Sequence, residues 1–253
     1  MTTHLPVLRL LTPSNATYFL NYLIEVATFD PIPIEVIWSV FTFPEKHPFD
    51  AAFEASGYSY IYALENFGTG TVLIHVFVFA MLISGLLWKI DTGNRVYTCL
   101  FKLAQTLYFG PLLMIFYEGY LEMSISTFIS WYNLEWSPEL GKSVLYCNIF
   151  TYTMILVLIT LPFFILIFYS RRADSLHEER FTRRYGAIYE GLKVEDKKDK
   201  LTNRTVTMLF PFFFVLRRLI FCAAALYLGR YPALQLLILY FVTTGMVIFL
   251  MRL

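Results

Sequence analysis

Two adjacent arginines lie in the middle of a long apolar stretch near the end of the chain. Residues 205–229 are mostly apolar on both sides of Arg217 and Arg218, and neither apolar half is long enough to cross a bilayer alone. Joined, the halves are long enough, because about 20 residues of helix span the hydrocarbon core. Each arginine then lies near mid-depth, where a charge costs at least about 2.5 kcal/mol on insertion scales. The stretch therefore predicts a transmembrane helix whose charges need compensation.

The composition is that of a multi-pass membrane protein. Of the 253 residues, 57% are hydrophobic and 15% are charged, against about 25% charged in an average soluble domain. The formal net charge is only +1, so we predict no nucleic-acid partner. The sequence shows no metal-ligand spacing, nucleophile–base arrangement or phosphate loop, so we predict no metal, no cofactor and no enzymatic activity.

The apolar runs predict an all-α polytopic membrane protein with about five transmembrane helices. We expect residues 1–66 to form a non-cytosolic segment with an interfacial amphipathic helix near residues 18–29. Three transmembrane helices are predicted in residues 67–170, a charged cytosolic loop in residues 171–204, and two further helices in residues 205–253. The five predicted spans are residues 67–88, 103–130, 143–170, 205–229 and 233–251.

The basic residues predict the orientation of the chain in the membrane. The 171–204 loop holds ten Lys and Arg, whereas the first sixty residues hold only Arg9 and Lys46. The positive-inside rule therefore places the long loop in the cytosol and the N-terminus outside it. The sequon Asn15-Ala-Thr17 then lies on the non-cytosolic side, where Asn15 is a candidate glycosylation site. We expect an integral protein of the cell surface or of an endomembrane.

The second predicted span carries the acidic residues that would compensate the arginines. Glu118 and Glu122 are spaced i, i+4 and so leave their helix in the same direction. Their expected depth is close to that of Arg217 and Arg218, so we predict an intramembrane charge cluster of these four residues. One interpretation is a gating or ion-pathway element, and the other is a clasp that fixes the packing of two helices. Two acids and two bases cancel, which favours the clasp.

A basic and aromatic run lies within the predicted cytosolic loop, from Arg184 to Lys193. It is compatible with an interfacial helix that presents a basic face to anionic lipid. It is equally compatible with a solvated connector, because seven acids offset the ten bases of the loop. The candidate cytosolic motif consists of Arg184, Tyr185, Gly186, Tyr189, Glu190 and Gly191.

The run Arg184-Tyr-Gly-Ala-Ile-Tyr-Glu-Gly-Leu-Lys193, with Phe214-Val-Leu-Arg217-Arg218-Leu-Ile, resembles the C-terminal membrane domain of TRP-like channel proteins. These are fungal flavin-carrier and polycystin-related proteins and multi-pass surface proteins of protists. In them, a Tyr-Gly-x-x-Tyr stretch precedes an arginine-containing helix. The stretch from Tyr117 to Ser126 is similar to the acidic helix of the protist group. The resemblance implies a cation-channel-related membrane subunit that works without catalysis in a larger assembly.

The family pattern also implies further crossings after Met251, so we expect a helper subunit, one part of a split protein, or a member without the pore. The alternative is a structural or anchoring subunit of a large membrane complex with no transport activity of its own. Both interpretations imply the same partners, namely membrane lipids and other membrane-protein chains in a homo- or hetero-oligomer.

Overall fold

A computed structural model of the chain describes residues 43, 48–54, 56–88, 117, 119–136, 141–171 and 201–251. Within these ranges the chain is mostly helical and contains no β-strand, which confirms the predicted helical class. Several predicted features lie outside the described residues. They are the interfacial helix near residues 18–29, the cytosolic motif of residues 184–191, Asn15 and Glu118.

Two short helices come before the first long one, α1 (Ala51–Glu54) and α2 (Ala63–Asn66). A glycine with a positive φ of 92°, Gly57, follows the end of α1. Its amide donates to the carbonyl of Glu54, and the amide of Tyr58 donates to the carbonyl of Phe53, both at 2.9 Å. This is the Schellman arrangement, in which glycine adopts the left-handed conformation at little cost. It directs Tyr58 back onto the Phe53 ring.

Among the described residues five further helices follow, and each overlaps one of the predicted spans. They are α3 (Gly68–Trp88), α4 (Tyr120–Tyr132), α5 (Lys142–Arg171), α6 (Leu201–Tyr227) and α7 (Pro232–Leu250). Helix α6 begins four residues before the predicted boundary at residue 205, because nothing in Leu201–Arg204 breaks a helix.

Three of these helices are long and apolar enough to cross a membrane: Lys142–Phe168 within α5, Leu209–Tyr227 within α6, and Pro232–Leu250, which is α7. A tight turn joins the last two, with the amide of Tyr231 donating to the carbonyl of Leu228 at 2.8 Å. Pro232 then occupies the first turn of α7, where an N–H group would have no partner within the helix and its absence costs no hydrogen bond.

The chain divides into two compact units. The first comprises Met1–Thr69, Leu121–Thr160 and Leu216–Met251. Its core joins Phe53 and Tyr58 to one face of α4 and one face of α6. The residues of α4 in this core recur every fourth position, as a single helix face requires; they are Leu121, Ile125 and Ile129. The residues of α6 are Phe221, Cys222, Ala225 and Leu226.

The second unit comprises Gly70–Tyr120, Leu161–Val215 and the last two residues. Its described packing is strongly aromatic. The rings of Tyr117 and Phe214 stack with their centroids 4.6 Å apart, and those of Phe163 and Phe212 lie 6.2 Å apart. Aromatic pairs of this kind add packing energy beyond their buried area, which suits helices that contact one another in an apolar medium.

Candidate functional site

Small polar residues are buried at several positions around α4. Ser124, Ser126, Thr127 and Ser130 are all buried, although they belong to an otherwise apolar helix. Such hydroxyls are tolerated in apolar surroundings because they can bond a carbonyl of their own helix or a side chain of a neighbouring helix. None of them was among the predicted site residues, although the run Ser124-Ile-Ser126-Thr127 is visible in the sequence.

The first unit contains a set of polar contacts between α4 and α5, which we call the hydroxyl ring: Ser130, Cys147 and Thr151. The Thr151 hydroxyl donates to the carbonyl of Cys147 at 2.8 Å. A hydroxyl has one proton to donate, so Ser130 must be the donor in its 2.9 Å bond to Thr151. The Cys147 thiol, 3.9 Å from the Ser130 oxygen, then donates to Ser130. Each proton of the ring is used, and the ring joins α4 to α5.

Side-chain amides and aromatic rings fix the connection between α4 and α5. Asn148 on α5 donates to the carbonyl of Glu135 in the loop at 2.9 Å. Asn133 donates to the carbonyl of Ile129 at the end of α4 at 2.8 Å. The ring of Tyr152 meets both Trp131 and Trp136, with centroids 5.0 and 5.6 Å apart. Tryptophan and tyrosine are typical of the membrane–water boundary, so this end of the two helices has the composition expected there.

Tyr58 carries the segment before α2 into the core of the first unit, where it packs with residues of α4 and α6. Burial raises the pKa of its phenol well above the usual range, and the electrostatic interactions with Glu122 and then with Cys222 raise it further. All three effects disfavour the phenolate. Tyr58 is therefore a neutral hydrogen-bonding group at physiological pH and is unsuited to act as a base.

Two of the predicted charged residues, Arg218 and Glu122, lie near the contact between α4 and α6. The Cys222 thiol on α6 donates to the carbonyl of Leu121 on α4 at 3.7 Å. Arg218 lies one turn before Cys222 on the same face of α6 and interacts with it electrostatically. Glu122 follows Leu121, has an exposed side chain and interacts electrostatically with Tyr58. Because Glu118 lies outside the described residues, the four-residue cluster stays a prediction.

Arg217 occupies a different face of the same helix. It lies five residues before Cys222, which places it about 140° away around α6 at 3.6 residues per turn. Its side chain is half-buried. Its Nε atom is buried and has no hydrogen-bond partner among the described residues. Buried polar atoms normally have a hydrogen-bond partner. Arg217 is the charged residue among those described that has a buried polar atom without one.

A fully buried polar side chain, that of Gln235, ties the last two helices together. Gln235 on α7 donates through Nε2 to the carbonyl oxygens of Ala224 and Ala225 on α6, at 3.0 and 3.2 Å. Its Oε1 atom is buried and has no partner among the described residues. Gln235 lies eight residues after Tyr227, beyond the turn, so it fixes the α6–α7 hairpin just past its tip.

Among the described residues, no group of three or more His, Cys, Asp or Glu side chains converges as a metal site would require. Comparison of the chain with protein families, with curated proteins and with solved structures found no match. The resemblance to TRP-like channel proteins therefore stays a prediction. The polar contacts described above are the observations on which a function can be argued.

Proposed function

We propose that this chain is an integral, multi-pass membrane subunit that works without catalysis inside a larger assembly. The observation that carries the proposal is the hydroxyl ring of Ser130, Cys147 and Thr151, in which the Ser130 hydroxyl on α4 bonds the Thr151 hydroxyl and the Cys147 thiol on α5. The amide of Gln235 bonds α7 to α6, and the amide of Asn148 bonds α5 to the loop after α4. Polar groups engaged in this manner hold helices together, whereas catalytic groups point at a substrate.

The proposal includes five crossings. Three helices already have the required length and apolar composition. We assign the remaining two crossings to residues 67–88 and 103–130, with the N-terminus non-cytosolic and residues 171–204 in the cytosol, at the cell surface or in an endomembrane. The support for this orientation is the distribution of Lys and Arg along the sequence.

We propose that α7 provides a surface for partner chains. Only 11% of this apolar helix is buried within the chain, against 39% of the Leu209–Tyr227 span. A helix with so little cover contacts either lipid or other membrane proteins. We propose that both cover it, with membrane lipids filling what partner chains leave open. No nucleic acid and no cofactor enter the proposal.

The anchoring form of the proposal, a structural subunit without transport activity, fits the described geometry best, because the buried hydroxyls of Ser130 and Thr151 bond each other. The channel-related form rests on the resemblance to TRP-like proteins. In either form we propose that Glu118, Glu122 and the arginine pair contribute a clasp between the second span and α6, with Arg218 as the arginine on the face toward α4.

Purification of the tagged full chain from its native membranes tests the proposal. We expect chains of other sequence to copurify at a fixed ratio. A chain that purifies alone, as a monomer, would contradict it. The two forms separate when the particle is reconstituted in liposomes: the anchoring form predicts no cation flux above that of empty liposomes, and the channel-related form predicts flux that depends on this chain.

A further inference from the structure

The segment of residues 49–62, which precedes the first predicted span, extends along α4 from the end of that helix toward its start. The Phe49 ring meets that of Tyr132 at the end of α4, with centroids 5.3 Å apart. Tyr58 interacts electrostatically with Glu122, which lies ten residues before Tyr132, or about 15 Å along the helix at 1.5 Å per residue. The chain therefore runs down beside α4 between Phe49 and Tyr58.

The segment then returns to the end of α4. Tyr62, four residues after Tyr58, interacts electrostatically with Glu135 in the loop that follows α4. A turn at Gly57 separates the two directions, as its positive φ of 92° allows. Both ends of residues 49–62 thus lie at the same end of the helix, and the turn lies deeper.

The turn packs at a level that lies inside the proposed membrane. Phe53 and Tyr58 belong to a buried cluster that includes Cys222 and Ala225 of α6. Cys222 lies about 7.5 Å inside the end of the Leu209–Tyr227 span, at 1.5 Å per residue. The two aromatic rings therefore sit below the membrane surface if this span crosses the bilayer.

The outer side of α7 gives the same level independently. Gln235 bonds the carbonyl of Ala225, so this part of α7 lies beside the cluster. The neighbouring Leu234 and Leu236 are 42% and 47% exposed, in a helix long and apolar enough to cross a membrane. Exposed leucines on such a helix indicate hydrocarbon at the level of the turn.

The hydrogen bonds of the turn are those that an apolar environment requires. Lipid offers no partner to backbone groups, so they must bond within the protein. The Ser56 hydroxyl donates to the carbonyl of Ala52 at 2.9 Å. Five backbone N–H groups donate to carbonyl oxygens within residues 50–54; they belong to Phe53, Glu54, Ser56, Gly57 and Tyr58.

One side of the segment is left uncovered by the described chain. Its exposed residues recur at every third position and are Ala51, Glu54 and Gly57. A carboxylate is expensive in hydrocarbon, whereas irregular backbone at membrane depth can line a water-filled cavity. Water on this side accounts for both the exposed carboxylate and the exposed turn.

We propose that residues 49–62 form a re-entrant segment, which enters the membrane from the non-cytosolic side beside α4 and α6 and lines a water-filled recess at Glu54. The partner of this surface is water of the non-cytosolic compartment, whereas lipid and partner chains cover α7. This inference rests on the proposed function, because it requires the membrane insertion and the orientation proposed above.

The test labels single cysteines at exposed positions of the tagged full chain in sealed native vesicles. A small, charged thiol reagent that does not cross membranes is added on the non-cytosolic side, and the unchanged chain with its native cysteines gives the background. We expect Glu54→Cys to react at least about tenfold faster than Leu236→Cys, because a thiol in apolar surroundings stays protonated and unreactive. Tyr231→Cys, in the exposed α6–α7 turn, is the control that reports access to the membrane surface.

A bulky reagent measures whether Glu54 lies in a recess. A maleimide on a long polyethylene glycol chain should label Tyr231→Cys and should fail to label Glu54→Cys. Equal labelling of both positions by the bulky reagent would place Glu54 at the open surface and overturn the inference. Protection of Glu54→Cys from the small reagent would overturn it too, because no water would then reach the segment.

The position of α7 separates failure of the inference from failure of the proposed function. Phe241→Cys lies at an exposed position in the middle of α7 and should be protected from the charged reagent. If Leu236→Cys reacts quickly while Phe241→Cys is protected, the level of the turn lies outside the membrane; the inference then fails and the proposed function stands. If Phe241→Cys also reacts quickly, α7 is not in the membrane and both fail.

Discussion

Gln235 on α7 and Ala224 on α6 are joined by a 3.0 Å bond from the Gln235 side-chain amide to the Ala224 carbonyl oxygen. The same amide nitrogen reaches the carbonyl of Ala225 at 3.2 Å. One side chain thereby fixes the rotation of α7 against α6. In an apolar medium this contact has no competition from water, yet interhelical bonds of this kind contribute only about 0.6 kcal/mol on average.

A charge introduced at position 235 should therefore destabilise the chain more than loss of the hydrogen bond does. We expect Gln235→Leu to lower the free energy of unfolding by about 0.6 kcal/mol. Gln235→Glu should cost about 3 kcal/mol or more, because a carboxylate has no N–H to donate and would face two carbonyl oxygens. Reversible unfolding in mixed micelles measures both. Leu236→Ala, on the exposed side of α7, is the control, and equal losses for the Leu and Glu variants would contradict the assignment.

The buried phenol of Tyr58 should make the folded chain less stable at alkaline pH. Its folded-state pKa is raised above the usual value of 10.0 by burial first, and then by Glu122 and Cys222. A phenol of this kind keeps its proton in the folded state after the unfolded chain has lost it. Its stabilising contribution is complete below about pH 10 and falls as the pH rises further, by up to about 1.4 kcal/mol per pH unit.

Unfolding measured between pH 8 and pH 11 tests this effect. Tyr58→Phe should flatten the alkaline fall in stability. Tyr231→Phe removes an exposed tyrosine and should leave the fall unchanged. An identical slope in the wild-type chain and in Tyr58→Phe would show that the phenol is not buried in the folded chain.

The clasp between the second span and α6 predicts coupling between Glu122 and Arg218. We expect Glu122→Gln and Arg218→Gln each to destabilise the chain, and the double variant to lose less than the sum, with a coupling of about 0.5–3 kcal/mol. The physical reason is that either single change leaves one charge uncompensated. Glu122→Gln combined with Arg230→Gln is the matched control and should be additive. Additive losses in the test pair would mean that the two residues are not partners.

The proposed orientation predicts which of two sequons receives a glycan. Asn15 lies on the non-cytosolic side in the proposal, and Asn203-Arg-Thr205 lies at the cytosolic end of α6. Expression of the full chain with microsomes should give one glycosylated form. Asn15→Gln should abolish it and Asn203→Gln should not. A glycan at Asn203 would reverse the orientation.

Much of the helical architecture could be predicted from the sequence, because long apolar runs have few alternatives to helix in a membrane. The predicted spans at 143–170 and 233–251 differ by one residue at each end from the helices Lys142–Arg171 and Pro232–Leu250. The turn at Gly229–Pro232 was also visible, because glycine and proline both interrupt the apolar pattern there.

The contacts that define the candidate site could not be predicted in the same way. Ser130 and Thr151 are 21 residues apart and meet only because particular faces of α4 and α5 pack together. The two arginines are adjacent in sequence, yet their faces differ by about 100° around α6, so one approaches Cys222 and the other does not. The sequence shows which residues are charged and how far along a helix they lie. It does not show which face of a helix packs against its neighbours.

The central claim is that particular buried polar residues of this chain, among them Ser130, Thr151 and Gln235, bond one helix to another. A double-mutant cycle on Ser130→Ala and Thr151→Val tests it most directly, with unfolding in mixed micelles as the measurement. The control is Thr153→Val, since the exposed Thr153 hydroxyl bonds a carbonyl of its own helix, that of Ile149. We predict a coupling of about 0.6 kcal/mol between Ser130 and Thr151, and none between Ser130 and Thr153. Losses at Ser130 and Thr151 that simply add would contradict the claim.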